Sequence, residues 1–449
     1  MHRKVLLIAY EFPPSGGGGV QRVAKFARYL PEFGWDPLVV AAEPVKGRPL
    51  DESLAEEVTT VPVARVPARH VGMAVSRVLA VARGARDTLR RRRVERRAPS
   101  EQANSAAASR DPSGGFRPGR TAQLTQWLAS PDFAAYWVAP AVAAGIRVGR
   151  EAGVFAVLAS SPPFSALVAG ARVAEALRVP LVADFRDAWR DNPGTWYPTA
   201  WHRNRSLALE RRVLEWAAAV TCVSPPIEKE ALEMGGHNAS VLPNGFDPAD
   251  VAPWAPDQDP PATIVFMGTL YPALSDPRTL FEAMRLAGKR SGHAAQLRLW
   301  IVGRRAPFAI EAAQRAGVAD RVDFLGYLPH AEAIATVARA DAGVVLIRDA
   351  PEAASVYAAK IFEYLGIGIP ILLLGPVQGV AADLVREAGA GWVVAHGDVE
   401  SIAQTIVRIA EDKAAGKRHA PPAPSVVARF DRRTQAAQLA KILDSVVAK

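Results

Sequence analysis

A chain of 449 residues is too long for one ordinary core and suits two domains of similar size. Its one cysteine, Cys222, excludes a disulfide framework and a cysteine-rich zinc site, and points to a reducing, cytoplasmic compartment. The net charge of +9 is concentrated: residues 83–120 carry eleven arginines against Asp87, Glu95, Glu101 and Asp111, so the rest is close to neutral and a nucleic-acid groove is not expected.

The first apolar run, 5–10, is too short for a signal-peptide core and is stopped by Glu11, so it reads as a strand. Further strands follow at 38–42, 61–66, 156–160, 181–184, 219–223 and 240–242. A second series occupies 263–267, 297–302, 322–325, 342–347, 370–374 and 391–394. Helical patterns at 20–33, 165–177, 201–216, 277–287, 331–340 and 399–410 lie between them. Continuous apolar strands alternating with helices predict parallel sheets covered on both faces. Two series predict an α/β protein with two doubly wound Rossmann-like domains facing across a cleft. The first takes 1–250 and the second 251–425, with a helix at about 426–449 packing back on the first. No run approaches the roughly 18 apolar residues of a membrane span.

The proline- and acid-rich stretch 246–261 reads as the linker. Its Asp257-Gln-Asp259 triplet lacks a strand leading into it and is not expected to hold metal. Residues 71–97 read as a helix whose apolar first half feeds an arginine cluster. Such a segment is either a solvated extension or a peripheral contact with an anionic membrane. The stretch 98–120 has the composition of a disordered excursion, so the basic segment 83–120 is expected to be partly disordered.

Three groups of residues carry the chemistry. Strand one leads into Glu11-Phe-Pro-Pro-Ser-Gly16-Gly-Gly-Gly19-Val-Gln-Arg22 and then a helix. Here glycine lets the backbone approach a ligand, and the helix start offers unpaired N–H groups. A plain flexible turn is the other reading, because Gln21 replaces the last glycine of a dinucleotide fingerprint. Glu43, ending the next strand, would hold a ribose if this were a nicotinamide enzyme. In the second group, Asp184-Phe-Arg-Asp-Ala-Trp189 emerges at the carboxyl edge of the sheet beside Ser160-Ser161. Asp184, Arg186 and Asp187 either position an acceptor hydroxyl or form an internal ion network. In the third, Lys360 and Glu363 share one helix face. They are either a surface ion pair or a grip for phosphate and ribose. Gly268 and Arg304 end strands at the same edge of the second domain.

Together the Gly16–Gly19 loop, Asp184-Phe-Arg-Asp-Ala-Trp189, Leu242-Pro-Asn-Gly-Phe-Asp247, Met267-Gly268 and Lys360-Ile-Phe-Glu363-Tyr resemble the family 4 glycosyltransferases of GT-B architecture. The resemblance implies a nucleotide-sugar co-substrate, UDP- or GDP-linked, held mainly by the second domain. It also implies a glycan, lipid-linked or small-molecule acceptor facing the first, retention of configuration, and no obligatory metal or other cofactor. On it, Asp184, Arg186 and Lys360 are expected to be catalytic. Gly17, Gly18, Gly268, Arg304, Lys360 and Glu363 are expected to bind the donor, and Ser160, Ser161 and Asp187 the acceptor. The chain departs from the family at Ser355, where a glutamate usually stands eight residues before Glu363, and at Thr269, where an arginine often follows the glycine. A nucleotide-binding protein without transfer and a nucleotide-sugar epimerase are the alternative readings.

Overall fold

A computed structural model describes residues 2–45, 50–68, 109–110, 116–117, 120–190, 192, 195–259 and 261–448. The segment 71–97, read as a helix, and nearly all of the basic excursion lie outside the described residues.

Strand β1, Arg3–Ala9, carries Val5 to Ala9 with no exposed side chain, as a strand covered on both faces must. It pairs in parallel with β2, Trp35–Ala42, on one side and with β4, Ala156–Ser161, on the other. With β3 Val63–Val66, β5 Leu181–Phe185, β6 Ala217–Cys222 and β7 Ala239–Val241, the first sheet has seven strands in the order β3-β2-β1-β4-β5-β6-β7. The second sheet repeats the plan with six. Its strands are β8 Thr263–Met267, β9 Arg298–Val302, β10 Val322–Gly326, β11 Ala342–Leu346, β12 Ile371–Gly375 and β13 Gly391–Ala395, in the order β10-β9-β8-β11-β12-β13. In each sheet the order reverses beside its first strand. That reversal opens a crevice at the carboxyl edge, where open α/β sheets take ligands.

Three helices position the site. Helix α1, Gly18–Tyr29, follows β1, and helix α2, Lys360–Ile367, precedes β12 and stops at Gly368 in the left-handed region, φ 84°. The last helix, α3, spans Arg432–Val447; its Leu439 and Leu443 join the core of α1, and Trp35 donates its indole N–H to Asp444 at 3.2 Å. Helix α3 thus packs on the domain of β1 and α1.

The stretch read as a linker is not loose. Backbone N–H groups of Trp254, Ala255 and Asp257 donate to Ile367, Ala338 and Arg339, and the Trp254 indole donates to Ala340 O at 2.8 Å. Asp257 is paired with Arg339 at 2.9 Å.

Candidate functional site

Between the two sheets lies a cavity of about 300 Å³. Gly17 and Gln21 at the start of α1 line it from one side, and Gly268, Arg304, Lys360 and Glu363 from the other. Gly17 caps α1 at φ 120°, a backbone conformation that favours glycine, and leaves the first N–H groups of the helix without intrahelical partners. Gly268 has φ 124°, and a methyl group there would stand 3.4 Å from Lys360 Nζ. Its neighbour Gly303 is tighter still, since a Cβ would fall 2.0 Å from Gly268 O.

Helix α2 is locked to β8 by Tyr364, whose hydroxyl accepts from Met267 N at 3.0 Å while its ring fills the space above Gly343. That anchor aims Lys360 and Glu363 at the cavity. The two are not a surface ion pair. The Lys360 ammonium lies 3.6 Å from the centroid of the Phe266 ring, a cation–π contact, and Glu363 accepts from Gln21 across the cleft. Seclusion between the domains brings the Lys360 ammonium down to about 7, against the opposing pull of Glu363. The same seclusion raises the Glu363 carboxyl, opposed by the charges of His330, Arg432 and Lys360 and by the Gln21 hydrogen bond.

The Asp184 group is placed differently. Sheet register sets Ser160 beside Asp184 and Asp184 beside Thr221 on adjacent strands. Both hydroxyls donate to its carboxylate at 2.7 Å. Arg22 of α1 closes the remaining sides with Nε at 3.0 Å and Nη2 at 2.7 Å, and both partners are wholly buried. Asp184 is not among the residues that line the cavity, and its carboxylate sits in an internal ion network, the second of the two arrangements its sequence context allowed, although its expected partner was Arg186. Ser160 and Ser161, expected at the acceptor, are also buried, the first on Asp184 and the second with its hydroxyl near Asp184 O. Arg186 is likewise committed to backbone. It donates to Ser161 O at 2.6 Å, to Pro162 O at 2.7 Å and to Gly19 O, tying the glycine loop to the end of β4. Asp187 is exposed. Neither Arg186 nor Asp187 lines the cavity, nor does the exposed Glu43; the place of Gly18 lies outside what is described. Ser355 sits outside it as well, its carbonyl accepting from Ser224 at 3.4 Å.

Gln21, His330 and Arg432 also line the cavity. Gln21 reaches His330 Nδ1 at 3.4 Å as well as Glu363, so one side chain of α1 touches two of the second domain. Arg432, the first residue of α3, completes the wall. Gln21 was visible only as the residue interrupting the glycine pattern. Arg432 gave the weak signal of a cation at a helix start, where an anion is favoured.

Away from the cavity, Glu57, Asp247 and Asp250 bring carboxylate oxygens within 4.8 Å of one another, a spacing a metal ion would accept. The buried Lys25 ammonium already fills that place, at 2.6 to 2.7 Å from each.

Residues 108–250 match the Glycosyltransferase Family 4 domain and residues 261–412 the domain described as Glycosyl transferases group 1. No curated protein matches the chain by sequence. Among solved structures it is similar to Anabaena HepE in complex with UDP and glucose or with UDP-glucose, at 18% identity and TM-score 0.61, over 99% of this chain and 100% of that one. It is also similar to sucrose-phosphate synthase from Thermosynechococcus elongatus, at 16% identity and TM-score 0.62 over the whole of both chains. The lipopolysaccharide outer core galactosyltransferase WaaB shows 12% identity and TM-score 0.56 over 98% and 99%. With these two domains in succession on two facing parallel sheets, the chain belongs to the group 1 and family 4 glycosyltransferases of the GT-B fold.

Proposed function

We propose that this glycosyltransferase moves a sugar from a UDP- or GDP-sugar to a glycan, lipid-linked or small-molecule acceptor, with retention of configuration and without an obligatory metal. One observation carries the reading: Gly17 at the start of α1 faces Lys360 and Glu363 of α2 across a single cavity. Glu363 suits the ribose hydroxyls, as an acceptor of charge-assisted hydrogen bonds. Lys360 and the free amides at the start of α1 suit the diphosphate. Negative charge grows on that diphosphate as the glycosidic bond to the donor breaks, so positive groups fixed beside it stabilise the transition state more than the ground state. Domain closure would bring the acceptor from the first domain. Asp184, Arg22 and Arg186 act in this scheme as positioning residues that hold the glycine loop in place. The relatives crystallised with UDP or UDP-glucose support the nucleotide-sugar part of the reading.

The test is a panel of UDP-, GDP- and dTDP-sugars with nucleotide release followed in the presence of EDTA. Release with one donor is expected. Tight nucleotide binding with no release under any acceptor condition would instead mark a binding protein, and a changed sugar without release an epimerase.

A peripheral contact with an anionic membrane is the second part of the proposal. Trp127, Tyr136 and Trp201 are each at least half exposed around one groove of the first domain, beside Arg172 and Arg205. Indole rings with arginines suit a headgroup layer. Deleting residues 83–119 should reduce pelleting with phosphatidylserine vesicles, and equal pelleting would dispose of the basic segment's part in it. No helix among the described residues is long and apolar enough to cross a membrane.

A further inference from the structure

Arg432 is 4% exposed, yet it lines the cavity. A guanidinium brings five N–H donors, and buried arginines are as a rule paired with an acid. Arg22 follows that rule and Arg432 does not. Among the described residues its side chain bonds only Gln435 Oε1, at 3.2 Å, and no carboxylate comes within ion-pair distance. The charges around it are mixed: Glu363 and Asp184 attract, and Arg22 and Arg186 repel. It also begins a helix, where the macrodipole is positive. Burial first, and the neighbouring Arg22 next, bring its guanidinium down to about 9.

The seat is rigid. Arg432 N donates to Phe246 O and Phe246 N to Phe430 O, each at 3.0 Å, and Asp431 caps the helix through Arg433 N. At Gly245 a Cβ would stand 2.0 Å from Phe430 O, so the two backbones touch. A buried cation is thus held, without a counter-charge of its own, on the wall that Lys360 and Glu363 share. Thr269, which follows Gly268 on that wall, offers no charge.

We propose that Arg432 is a recognition residue for the diphosphate of the nucleotide donor, supplied by the returning helix of the C-terminus and working with Lys360. The proposal rests on the reading of this cavity as the donor site. It implies that α3 is part of the binding apparatus as well as a clasp, so donor binding and the seating of α3 support each other.

The test is calorimetry of the full chain with UDP, GDP and the corresponding nucleosides, uridine and guanosine. Wild type is expected to bind one diphosphate at least tenfold more tightly than its nucleoside. Arg432→Gln should lose about tenfold or more in diphosphate affinity, the size of a charged hydrogen bond, with nucleoside affinity within twofold of wild type. Arg432→Lys, which keeps the charge but not the fork, should fall between the two. Thermal melts identify folded variants, and if Arg432→Gln does not fold, Arg432→Lys decides alone. Unchanged diphosphate affinity in a folded variant overturns the proposal. So does an equal loss for nucleoside and diphosphate, which marks a structural role. A loss confined to a phosphorylated acceptor would move the residue to the acceptor side and overturn it as well. Wild type that binds none of the four compounds sinks the donor-site reading itself, and this proposal with it.

Discussion

Arg22 and Asp184 meet fork to fork in the interior of the first domain, at 3.0 and 2.7 Å, with neither side chain reaching solvent. Arg22 also donates to Pro243 O at 2.7 Å and Leu242 O at 2.9 Å, so the pair joins α1, the sheet and the segment leading out of the domain. Burial alone would raise the Asp184 carboxyl. The charge of Arg22 and the hydrogen bonds of Arg22, Thr221 and Ser160 outweigh it and hold the group below the ordinary carboxylate range.

Removing one partner strands the other. Asp184→Asn should cost about 3–5 kcal/mol at pH 7, because Arg22 is left as a buried charge without its acid. The double variant Arg22→Met with Asp184→Leu should be less destabilised than either single one. Asp184 has a lowered folded pKa, so its contribution is present above the unfolded pKa and is lost as pH falls through the lower, folded value. The deficit of Asp184→Asn should therefore stay level from pH 8 to about pH 5. Urea titrations across that range check it, and a deficit near zero at pH 7 would contradict the network.

The Lys25 cluster gives a prediction of opposite pH behaviour. Burial opposes the Lys25 ammonium, but Asp247, Asp250 and Glu57 raise it overall, so its contribution is complete at neutral pH and is lost only at strongly alkaline pH. In Lys25→Met three crowded carboxylates lose their central cation and keep Arg28, 2.8 Å from Glu57 and 3.5 Å from Asp247, the Tyr29 hydroxyl on Asp247 and His330 at 4.0 Å from Asp250. A loss of about 3–5 kcal/mol is expected at pH 7. It should shrink toward pH 4 as the acids take up protons. Melting curves of both proteins at pH 7 and pH 4.5 read the difference, and a pH-independent gap would rule out charge as the cause.

The architecture was legible because parallel strands covered on both faces must be apolar throughout, and the runs at 263–267 and 156–160 could be nothing else. The doubly wound class followed from the repeated alternation, while the order of the strands is read only from the sheets themselves. The Lys360 and Glu363 pair was legible because three residues on a helix fix a shared face. The ion network of Asp184 was legible but its partner was not: Arg22 is 162 residues away, and adjacency to Arg186 in sequence suggested a pairing that packing does not make. Ser160 and Thr221 meet Asp184 through sheet register, which no single strand reveals. Arg432 gave only a weak signal because its meaning depends on where the last helix lands.

Glu363→Ala should weaken nucleotide binding by about 1.5–3 kcal/mol, the range for hydrogen bonds to a charged group. If the carboxylate meets the ribose, uridine and UDP, or guanosine and GDP, should lose alike. This distinguishes it from Arg432, whose loss should be confined to the diphosphate. Calorimetry on the same four compounds checks it, and a variant that binds them all as wild type does would remove Glu363 from the site. Gln21→Ala, which frees Glu363 of its present donor, should not weaken binding and is the control for a general loosening of the cleft.

The Lys360 ammonium, brought down to about 7 by seclusion from water, makes donor binding depend on pH. A diphosphate beside it favours the charged form and raises its pKa in the complex. Below pH 7 the ammonium is already charged and binds the diphosphate without taking up a proton. Above pH 7 the free protein must gain a proton as it binds, so affinity should fall by up to tenfold per pH unit until the pKa of the complex is passed. Titrations of UDP or GDP at pH 8 in two buffers of different ionisation enthalpy should show an uptake approaching one proton per site. Lys360→Met should abolish that uptake and flatten the pH profile while leaving nucleoside binding unchanged. Uptake that persists in Lys360→Met would assign the proton to another group and separate Lys360 from the diphosphate.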